Sequence, residues 1–500
     1  MMNKIFLPNG MEAVKANYTE SPLEEFNENP FIQALPPLVN EETKIKKLMV
    51  NPVFSIKERD MENMYRLQMV NRMYQFFQPL PIHLEIWDAI HNLLIEGYIA
   101  RNPFDPAYVR HLNDSGKQVI NRSYDINNRS NFRTTAGCGT LFGFSGMGKT
   151  TSVNRVLNNI PQIIVHNEYK GQHFNQIQMV WLKIDSPSVS SLKALCLQFI
   201  MRIDELLGTN NYQKHVSRNT SVDAMLPLIG QLAKNIALGL LIIDETQNIK
   251  NRGKEQIMNF FVSLVNSGVN LLLIGTPGAY KLFGDELRIA RRLTGNSEIV
   301  FNNMEYDNEF KFLLESIWRY QWTSKQVGLT EEIMKVIYYE TQGISDLVVK
   351  LFVYSQQKAI STKKEMISAS LIQSVAKEKF KLMKEMVDAI RSGNPYKMSA
   401  YEDIKRIEKS NKADRSPEIE IKVLNKIREK EVKTNQNQNQ MEKIVVPVQN
   451  RQNRIVVYDE NDIRRIMAEG IKDEKTVYEI LNDNDLIEHM NSWNDGVVID

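Results

Sequence analysis

The residues with the clearest chemical potential form a glycine-rich run that ends in a lysine and two threonines. The run reads Gly143, Phe144, Ser145, Gly146, Met147, Gly148, Lys149, Thr150 and Thr151. A glycine, four residues and then Gly-Lys-Thr is the spacing at which backbone N–H groups converge on phosphate oxygens. An apolar strand pattern precedes the run and a helical pattern follows it. This context argues against the alternative, a glycine-rich turn with an exposed lysine.

The run therefore predicts a loop that holds the phosphates of ATP. We expect Lys149 to reach the β- and γ-phosphates and the Thr150 hydroxyl to ligate Mg²⁺. The N-terminus of the following helix adds positive potential at the same place. Every position of the run except Phe144 is a candidate nucleotide contact.

Two carboxylates stand at the end of an apolar run further along the chain. The run 240–243 leads into Asp244 and Glu245. A buried strand of this kind would deliver Asp244 to the sheet edge beside the phosphate loop, where it can hold Mg²⁺ through water. Glu245 can then polarise the attacking water. Such a carboxylate could also simply cap a loop, but the phosphate loop upstream favours the catalytic interpretation.

Two further sets of residues have side chains that could contact the γ-phosphate. Thr276 follows the apolar run 271–274 and would lie beside the γ-phosphate as a polar sensor. Arg291 and Arg292, with Arg288 on the same predicted helix, could reach the γ-phosphate bound by a neighbouring subunit, as an arginine finger does. The alternatives are a turn that only ends the strand and a solvated basic helix face.

Contacts with DNA can only be argued locally. The 62 Lys and Arg residues against 60 Asp and Glu residues give a net charge of +2, so no global field favours nucleic acid. Lys250, Arg252 and Lys254 lie in a polar segment after the acid pair, and Lys193 follows a serine-rich turn. These four could touch DNA phosphates with little sequence preference, or they could belong to solvated loops.

Composition excludes several classes of protein. Among the 500 residues 42% are hydrophobic, which is typical of globular proteins and not of disordered or fibrous chains. Two cysteines cannot form a disulfide framework and indicate a reducing compartment. The apolar run 237–243 is far shorter than the roughly 18 residues of a membrane span. His166 and His173 have no accompanying ligand cluster, so we expect no metal site there. These features predict a cytoplasmic protein with no membrane association.

The elements that must position the chemical groups follow from the hydrophobic pattern. Between residues 136 and 322 short apolar runs alternate with helical stretches, which predicts a parallel α/β sheet. The predicted strands are 140–144, 163–166, 177–184, 240–244, 270–274 and 298–301, with a possible hairpin around Lys170 and Gly171.

The flanking regions have other patterns. Prolines around the apolar residues of 29–38 predict an extended segment, whereas 61–99 is helical in pattern and 102–136 is typical of a linker. Residues 330–394 have an all-helical pattern with a start signal at Thr330. The predicted domains are an N-terminal extension with an extended segment plus helices (1–125), a nucleotide-binding core (126–325), a helical lid (326–395), a flexible linker (396–455) and an acidic segment (456–500). The acidic segment either docks on a partner or forms a small helical cap.

The order of these predicted elements resembles that of AAA+ ATPases. It is a strand, the phosphate loop, the acid pair, the sensor and the arginine-bearing helix, followed by a helical bundle. The fold class expected is therefore α/β: an AAA+ P-loop NTPase core with a parallel sheet and a helical lid, an N-terminal helical extension and a flexible C-terminal tail. Over residues 28–360 the chain resembles TnsC, the AAA+ regulator of bacterial transposons with multi-subunit transposases. The segments that carry this narrower resemblance are 29–37, 178–185, 241–247, 275–277, 290–292 and 318–323.

The resemblance implies an ATPase with ATP and Mg²⁺ as cofactors. It implies a helical or ring oligomer on duplex DNA that links a TniQ/TnsD-like target selector to transposase subunits. In this arrangement residues 1–125 would contact the selector or further subunits, and the 456–500 tail would hold the transposase. The sequence departs from many AAA+ proteins at the second sensor, because Asp346 stands where an arginine would follow Gly343, and Lys350 is a weak substitute. Two other functions stay open: a signalling or adaptor NTPase switch and a DNA-loader-type ATPase.

Overall fold

The computed structural model describes residues 4–120, 134–187, 191–217, 220–249, 254–282, 297–401 and 404. The arginine-finger candidates Arg291 and Arg292 lie outside the described residues, and so do Lys250 and Arg252. The expectations for the acidic segment 456–500, and for nearly all of the linker before it, also fall outside this part of the chain.

Two sheets are present in the described residues. Their strands are β1 (Lys4–Phe6), β2 (Glu12–Lys15), β3 (Cys138–Gly143), β4 (Ile163–Tyr169), β5 (Gln172–Met179), β6 (Trp181–Asp185), β7 (Leu240–Asp244), β8 (Asn270–Gly275) and β9 (Ser297–Phe301). The larger sheet has the order β6-β7-β8-β3-β9 and every neighbouring pair is parallel. This confirms the parallel α/β sheet predicted from the alternation of strands and helices.

The larger sheet is covered on both faces, which is why its central strands are apolar throughout. In β7, Leu240 and Ile242 lie in one buried cluster, and Leu241 and Ile243 lie in a second one. Successive side chains of a strand point to opposite faces, so the two clusters are the two covered faces of the sheet.

Helices occupy most of the remaining described residues. They are α1 (Pro30–Gln33), α2 (Glu41–Leu48), α3 (Asn63–Val70), α4 (Pro81–Ile99), α5 (Pro106–Ile120), α6 (Lys149–Leu157), α7 (Leu192–Leu207), α8 (Asn211–His215), α9 (Val222–Asn235), α10 (Lys254–Asn266), α11 (Asn308–Trp318), α12 (Glu331–Thr341), α13 (Ser345–Ser361), α14 (Ala369–Lys379), α15 (Lys384–Arg391) and α16 (Pro395–Ser399). The helical prediction for 330–394 is confirmed, and the Thr330 side chain caps α12 by accepting a hydrogen bond from the Ile333 N–H.

The single strand predicted over 177–184 is wrong, because the chain changes sheets within it. β5 pairs antiparallel with β4 in the smaller sheet, and β6 pairs with β7 in the larger one. Val180 between them is buried, so the apolar pattern continues across the change. The hairpin around Lys170 is confirmed, since this turn joins β4 to β5.

Two segments predicted to lack helix each contain one. The extended segment expected over 29–38 contains α1, because the Asn29 side chain accepts from the Phe31 N–H at 3.0 Å and Pro30 suits the first turn of a helix. The linker expected over 102–136 contains α5, which again begins at a proline. The Asp105 side chain accepts from the Ala107 N–H at 2.8 Å.

The N-terminal segment belongs to the same core as the helical region near the end of the described chain. Buried residues of α2 and α4 lie in one apolar cluster with Trp322 and with Phe352 of α13. Arg66 of α3 ties these parts together. Its two terminal nitrogens each lie 2.7 Å from a different oxygen of the Glu365 carboxylate, and one of them also donates to the Trp322 carbonyl at 3.1 Å.

We expect Arg66→Ala to lower the free energy of unfolding by about 3 kcal/mol, because breaking a buried ion pair leaves one charge without compensation. Chemical denaturation measures this directly. The control Lys46→Ala removes an exposed pair with Glu42 and should change the free energy by about 0.5 kcal/mol or less.

The same pair should make stability depend on pH. Hydrogen bonds from Arg66 hold the pKa of Glu365 below its usual value of 4.5. The stabilisation is therefore complete above about pH 4.5 and is lost as the pH falls through the lower folded-state pKa. The free energies of unfolding of wild type and Arg66→Ala should therefore converge at low pH. A difference between these two free energies that grows on acidification would contradict this assignment.

Candidate functional site

The phosphate-loop run connects β3 to α6, and its first glycine is required by the neighbouring strand. A Cβ at Gly143 would lie 1.9 Å from the Phe301 carbonyl oxygen of β9, and that same oxygen accepts from the Phe144 N–H at 3.0 Å. Gly146 and Gly148 have φ angles of +79° and +89°, which glycine adopts without strain. Glycine at these three positions therefore permits a loop conformation in which other residues would clash or be strained.

The Lys149 ammonium lies over this loop at the N-terminus of α6. Its Nζ donates to the carbonyls of Gly143 at 2.9 Å and Phe144 at 2.8 Å. Ser145 and Thr151 are exposed on the loop and on the first turn of the helix. One positive side chain and the start of a helix therefore face the same place, as the sequence predicts for a phosphate site.

The structure brings Thr150 and Asp244 together. The Thr150 hydroxyl donates to Asp244 Oδ2 at 2.8 Å, although the two residues are 94 positions apart. Asp244 is buried at the carboxyl end of β7, and β8 separates this strand from β3. A hydroxyl and a carboxylate are the oxygen ligands that Mg²⁺ takes in proteins, so this pair fits a divalent cation bound with phosphates.

Lys183 of β6 also contacts the Asp244 carboxylate, and sequence reasoning assigned it no role. Its Nζ lies 3.0 Å from Asp244 Oδ2 and 3.1 Å from Oδ1 of Asn154 in α6. Residues 154 and 150 share one face of α6 because they are four positions apart. The only sequence signal for this contact is the position of Lys183 near the end of a strand beside β7.

Glu245 follows Asp244 with a left-handed backbone, at a φ of +56°. Its carboxylate accepts a hydrogen bond from the Gln247 side-chain amide, and the Gln247 oxygen accepts from the Thr276 N–H at 3.0 Å. Gln247 therefore joins the exposed Glu245 to the end of β8. Gln247 had no role assigned from the sequence, because the sequence does not reveal that this side chain contacts Thr276 at the end of another strand.

Thr276 lies at the same edge of the sheet, where the sensor was expected. Its hydroxyl oxygen is buried and has no hydrogen-bond partner among the described residues. A buried hydroxyl without a partner is unfavourable unless a ligand or water satisfies it. This orphaned hydroxyl and the donors of the phosphate loop make the site suitable for a nucleoside triphosphate with a divalent cation.

The start of α13 touches the phosphate loop. The Asp346 N–H donates to the Gly146 carbonyl at 3.1 Å, and a Cβ at Gly146 would lie 3.0 Å from a methyl carbon of Ile344. The Lys350 ammonium pairs with the Asp346 carboxylate at 2.6 Å. The position expected for a second sensor thus contacts the loop through its backbone, and the weak substitute Lys350 has Asp346 as its partner.

The described DNA candidates lie at the beginnings of helices. Lys193 is the second residue of α7, whose cap is Ser191, and Lys254 is the first residue of α10. The structure describes no geometry that joins these two into one surface, so their DNA contacts stay predictions.

His166 has a packing role. Its ring lies between the Tyr18 hydroxyl and the Gln178 side chain, each at 2.9 Å, and burial lowers its pKa to about 4. No group of three or more potential metal-ligating His, Cys, Asp or Glu side chains occurs in the described part of the chain. No helix among the described residues is long and apolar enough to cross a membrane.

The glycine geometry predicts unequal effects of adding one methyl group. Gly143→Ala should destabilise the fold by about 3 kcal/mol or more, because its Cβ would meet backbone that no side-chain movement can relieve. Gly148→Ala meets no atom within 4 Å and should cost about 1–2 kcal/mol from its left-handed backbone alone. Denaturation of both variants without nucleotide tests the difference, and equal destabilisation would contradict the close approach of β9.

One protein family and several solved structures are similar to parts of this chain. Residues 132–283 match the family described as an AAA domain, and no curated protein matched the chain. Among solved structures, the Aeropyrum pernix ORC2 protein is 13% identical, covering 55% of this chain and 69% of that chain with a TM-score of 0.31. Drosophila ORC bound to DNA is 13% identical, covering 60% and 68% with a TM-score of 0.32. Domain III of Thermotoga maritima DnaA is 13% identical, covering 55% and 94% with a TM-score of 0.29. Residues 132–283 are thus similar to AAA domains, and the fold of the described residues is α/β with a parallel sheet.

Proposed function

We propose that this chain binds ATP with Mg²⁺ and hydrolyses it to ADP and phosphate. The observation that carries the proposal is the 2.8 Å contact between the Thr150 hydroxyl and Asp244 Oδ2. Lys149 precedes Thr150 in the chain, and its ammonium lies on the carbonyls of the loop. Thr150 and Asp244 would hold the metal ion, which when bound neutralises charge on the phosphate oxygens. Lys149 and the loop N–H groups would hold the β- and γ-phosphates.

The remaining side chains of the site would act on the attacking water. Glu245 would accept a proton from the attacking water. At the same time the water oxygen would bond to the γ-phosphorus, and the bond between the γ-phosphorus and the β,γ-bridging oxygen would break to release ADP. Gln247 would orient the Glu245 carboxylate through its amide. The buried Thr276 hydroxyl, which has no partner among the described residues, would donate to a γ-phosphate oxygen.

We further propose that ATP binding drives assembly on duplex DNA, in a regulator of transposition that resembles TnsC. The resemblance of the segments quoted above supports this proposal. One of them, 318–323, has structural importance here, because Gln321, Trp322 and Thr323 are buried and the Trp322 indole donates to Glu58 at 2.8 Å. This segment therefore joins the N-terminal extension to the helical region. The proposed partners are duplex DNA, further copies of the chain, transposase subunits and a TniQ/TnsD-like selector.

A second candidate function is a nucleotide-dependent switch that hydrolyses ATP slowly and binds a protein partner. It is favoured by the pair formed by Lys350 and Asp346, because this pair stands where an arginine would otherwise couple the lid to the γ-phosphate. The same tests also distinguish a third function, that of a DNA-loader-type ATPase.

We expect Glu245→Gln to bind ATP normally and to hydrolyse it about 10²-fold or more slowly, because the amide cannot accept the proton from water. A fluorescent ATP analogue measures binding, and phosphate release measures turnover. The control Lys149→Ala should lose binding itself, since it removes the positive charge that faces the phosphates. Wild-type turnover in Glu245→Gln would remove Glu245 from catalysis, and unchanged affinity in Lys149→Ala would place the nucleotide elsewhere.

We expect Glu245→Gln with ATP to form oligomers on duplex DNA that are visible by electron microscopy, and ADP to give none. DNA affinity should fall steeply as salt rises, because it would come from phosphate contacts. Protein that binds ATP but shows no DNA affinity at low salt would favour the switch. Closed rings that stay on DNA after hydrolysis would favour the loader.

A further inference from the structure

One buried carboxylate oxygen, Asp244 Oδ2, accepts from two side chains at once. The Thr150 hydroxyl lies 2.8 Å from it and the Lys183 ammonium 3.0 Å from it. The side chains of Lys183 and Asp244 are 18% and 4% exposed, so water screens this ion pair only weakly. A cation bound to Thr150 and Asp244 would therefore have to share its carboxylate with an ammonium group.

The position of the ammonium follows from the sheet. Lys183 pairs with Ile242 in the register of β6 and β7, and Asp244 lies two residues further on the same face. The 3.0 Å separation shows that the long Lys183 side chain spans this diagonal. Asn154 holds the ammonium from the other side at 3.1 Å, so Lys183 is fixed between α6 and β7.

We propose that Lys183 is the internal counter-ion of Asp244 and sets the Mg²⁺ concentration that nucleotide binding requires. The inference rests on the proposed ATP site and goes beyond it, since it assigns a second cation to the carboxylate. A buried carboxylate needs a positive partner, and Lys183 provides one within the chain. The ammonium repels a divalent cation at the same carboxylate, so it raises the Mg²⁺ concentration needed for half-saturation.

The test measures binding of a fluorescent ATP analogue to the full chain as Mg²⁺ is titrated. We expect Lys183→Met, which removes the charge and keeps much of the length, to lower the half-saturating Mg²⁺ concentration on the order of tenfold. Lys183→Arg keeps the charge and should stay within about twofold of wild type. The control Lys170→Met removes an exposed ammonium that pairs with Glu28 beside the smaller sheet, and it should leave the Mg²⁺ dependence unchanged.

Thermal unfolding gives a readout that does not depend on activity. In EDTA, Lys183→Met should melt below wild type, because Asp244 stays buried without its cation. Saturating Mg²⁺ and nucleotide should close most of this gap, because the metal ion then compensates the carboxylate. Equal melting temperatures in EDTA would overturn the counter-ion role.

The outcomes separate this inference from the function on which it rests. Wild-type protein that binds no nucleotide at any Mg²⁺ concentration would contradict the proposed function itself. Wild-type binding that requires Mg²⁺, with the same or a higher half-saturating concentration in Lys183→Met, would overturn only the role of Lys183. If Lys183→Met fails to fold, Asn154→Asp offers the ammonium a second carboxylate and should also lower the half-saturating Mg²⁺ concentration. An unchanged value in that variant would overturn the inference.

Discussion

The contact between the Thr150 hydroxyl and Asp244 Oδ2 is the interaction on which the rest of the site depends. It joins the start of α6 to the end of β7, and these elements meet only because β8 pairs in parallel with both β3 and β7. Parallel pairing brings the carboxyl ends of the strands to one edge of the sheet. The phosphate loop, the acid pair and Thr276 lie at this edge, so the order of the buried strands brings these groups together.

Two regions outside the sheet are tied to this edge. The start of α13 contacts the loop through the Asp346 N–H, and α13 shares a buried cluster with α3 and with Trp322. Arg66 of α3 in turn holds Glu365, just before α14. The N-terminal segment, the helical region and the phosphate loop are therefore connected by packed contacts, and a displacement of α13 at the loop would be resisted by the N-terminal segment.

Local patterns made much of this predictable. The placement of the glycine-rich loop between a strand and a helix, of the acid pair at a strand end and of the buried strands was predictable, because spacing and apolar runs are properties of short segments. The strand predicted over 177–184 was wrong because the apolar pattern does not reveal a change of sheet at Val180. The helices at Pro30 and Pro106 were missed because a proline can begin a helix as well as prevent one. Lys183 and Gln247 were missed because their partners depend on the register between strands distant in sequence.

The charged side chains of the site all have partners within the chain, and this constrains what can bind there. Lys149 donates to two loop carbonyls, Asp244 accepts from Lys183, and Glu245 accepts from Gln247. A ligand gains net affinity only where it offers each group a better partner than the one it replaces. Phosphate oxygens can replace carbonyls at Lys149, and a divalent cation can replace an ammonium at Asp244. A neutral ligand offers neither exchange, so the hydrogen bonds that hold the site together favour the proposed ligand, a charged phosphate ester with its metal ion.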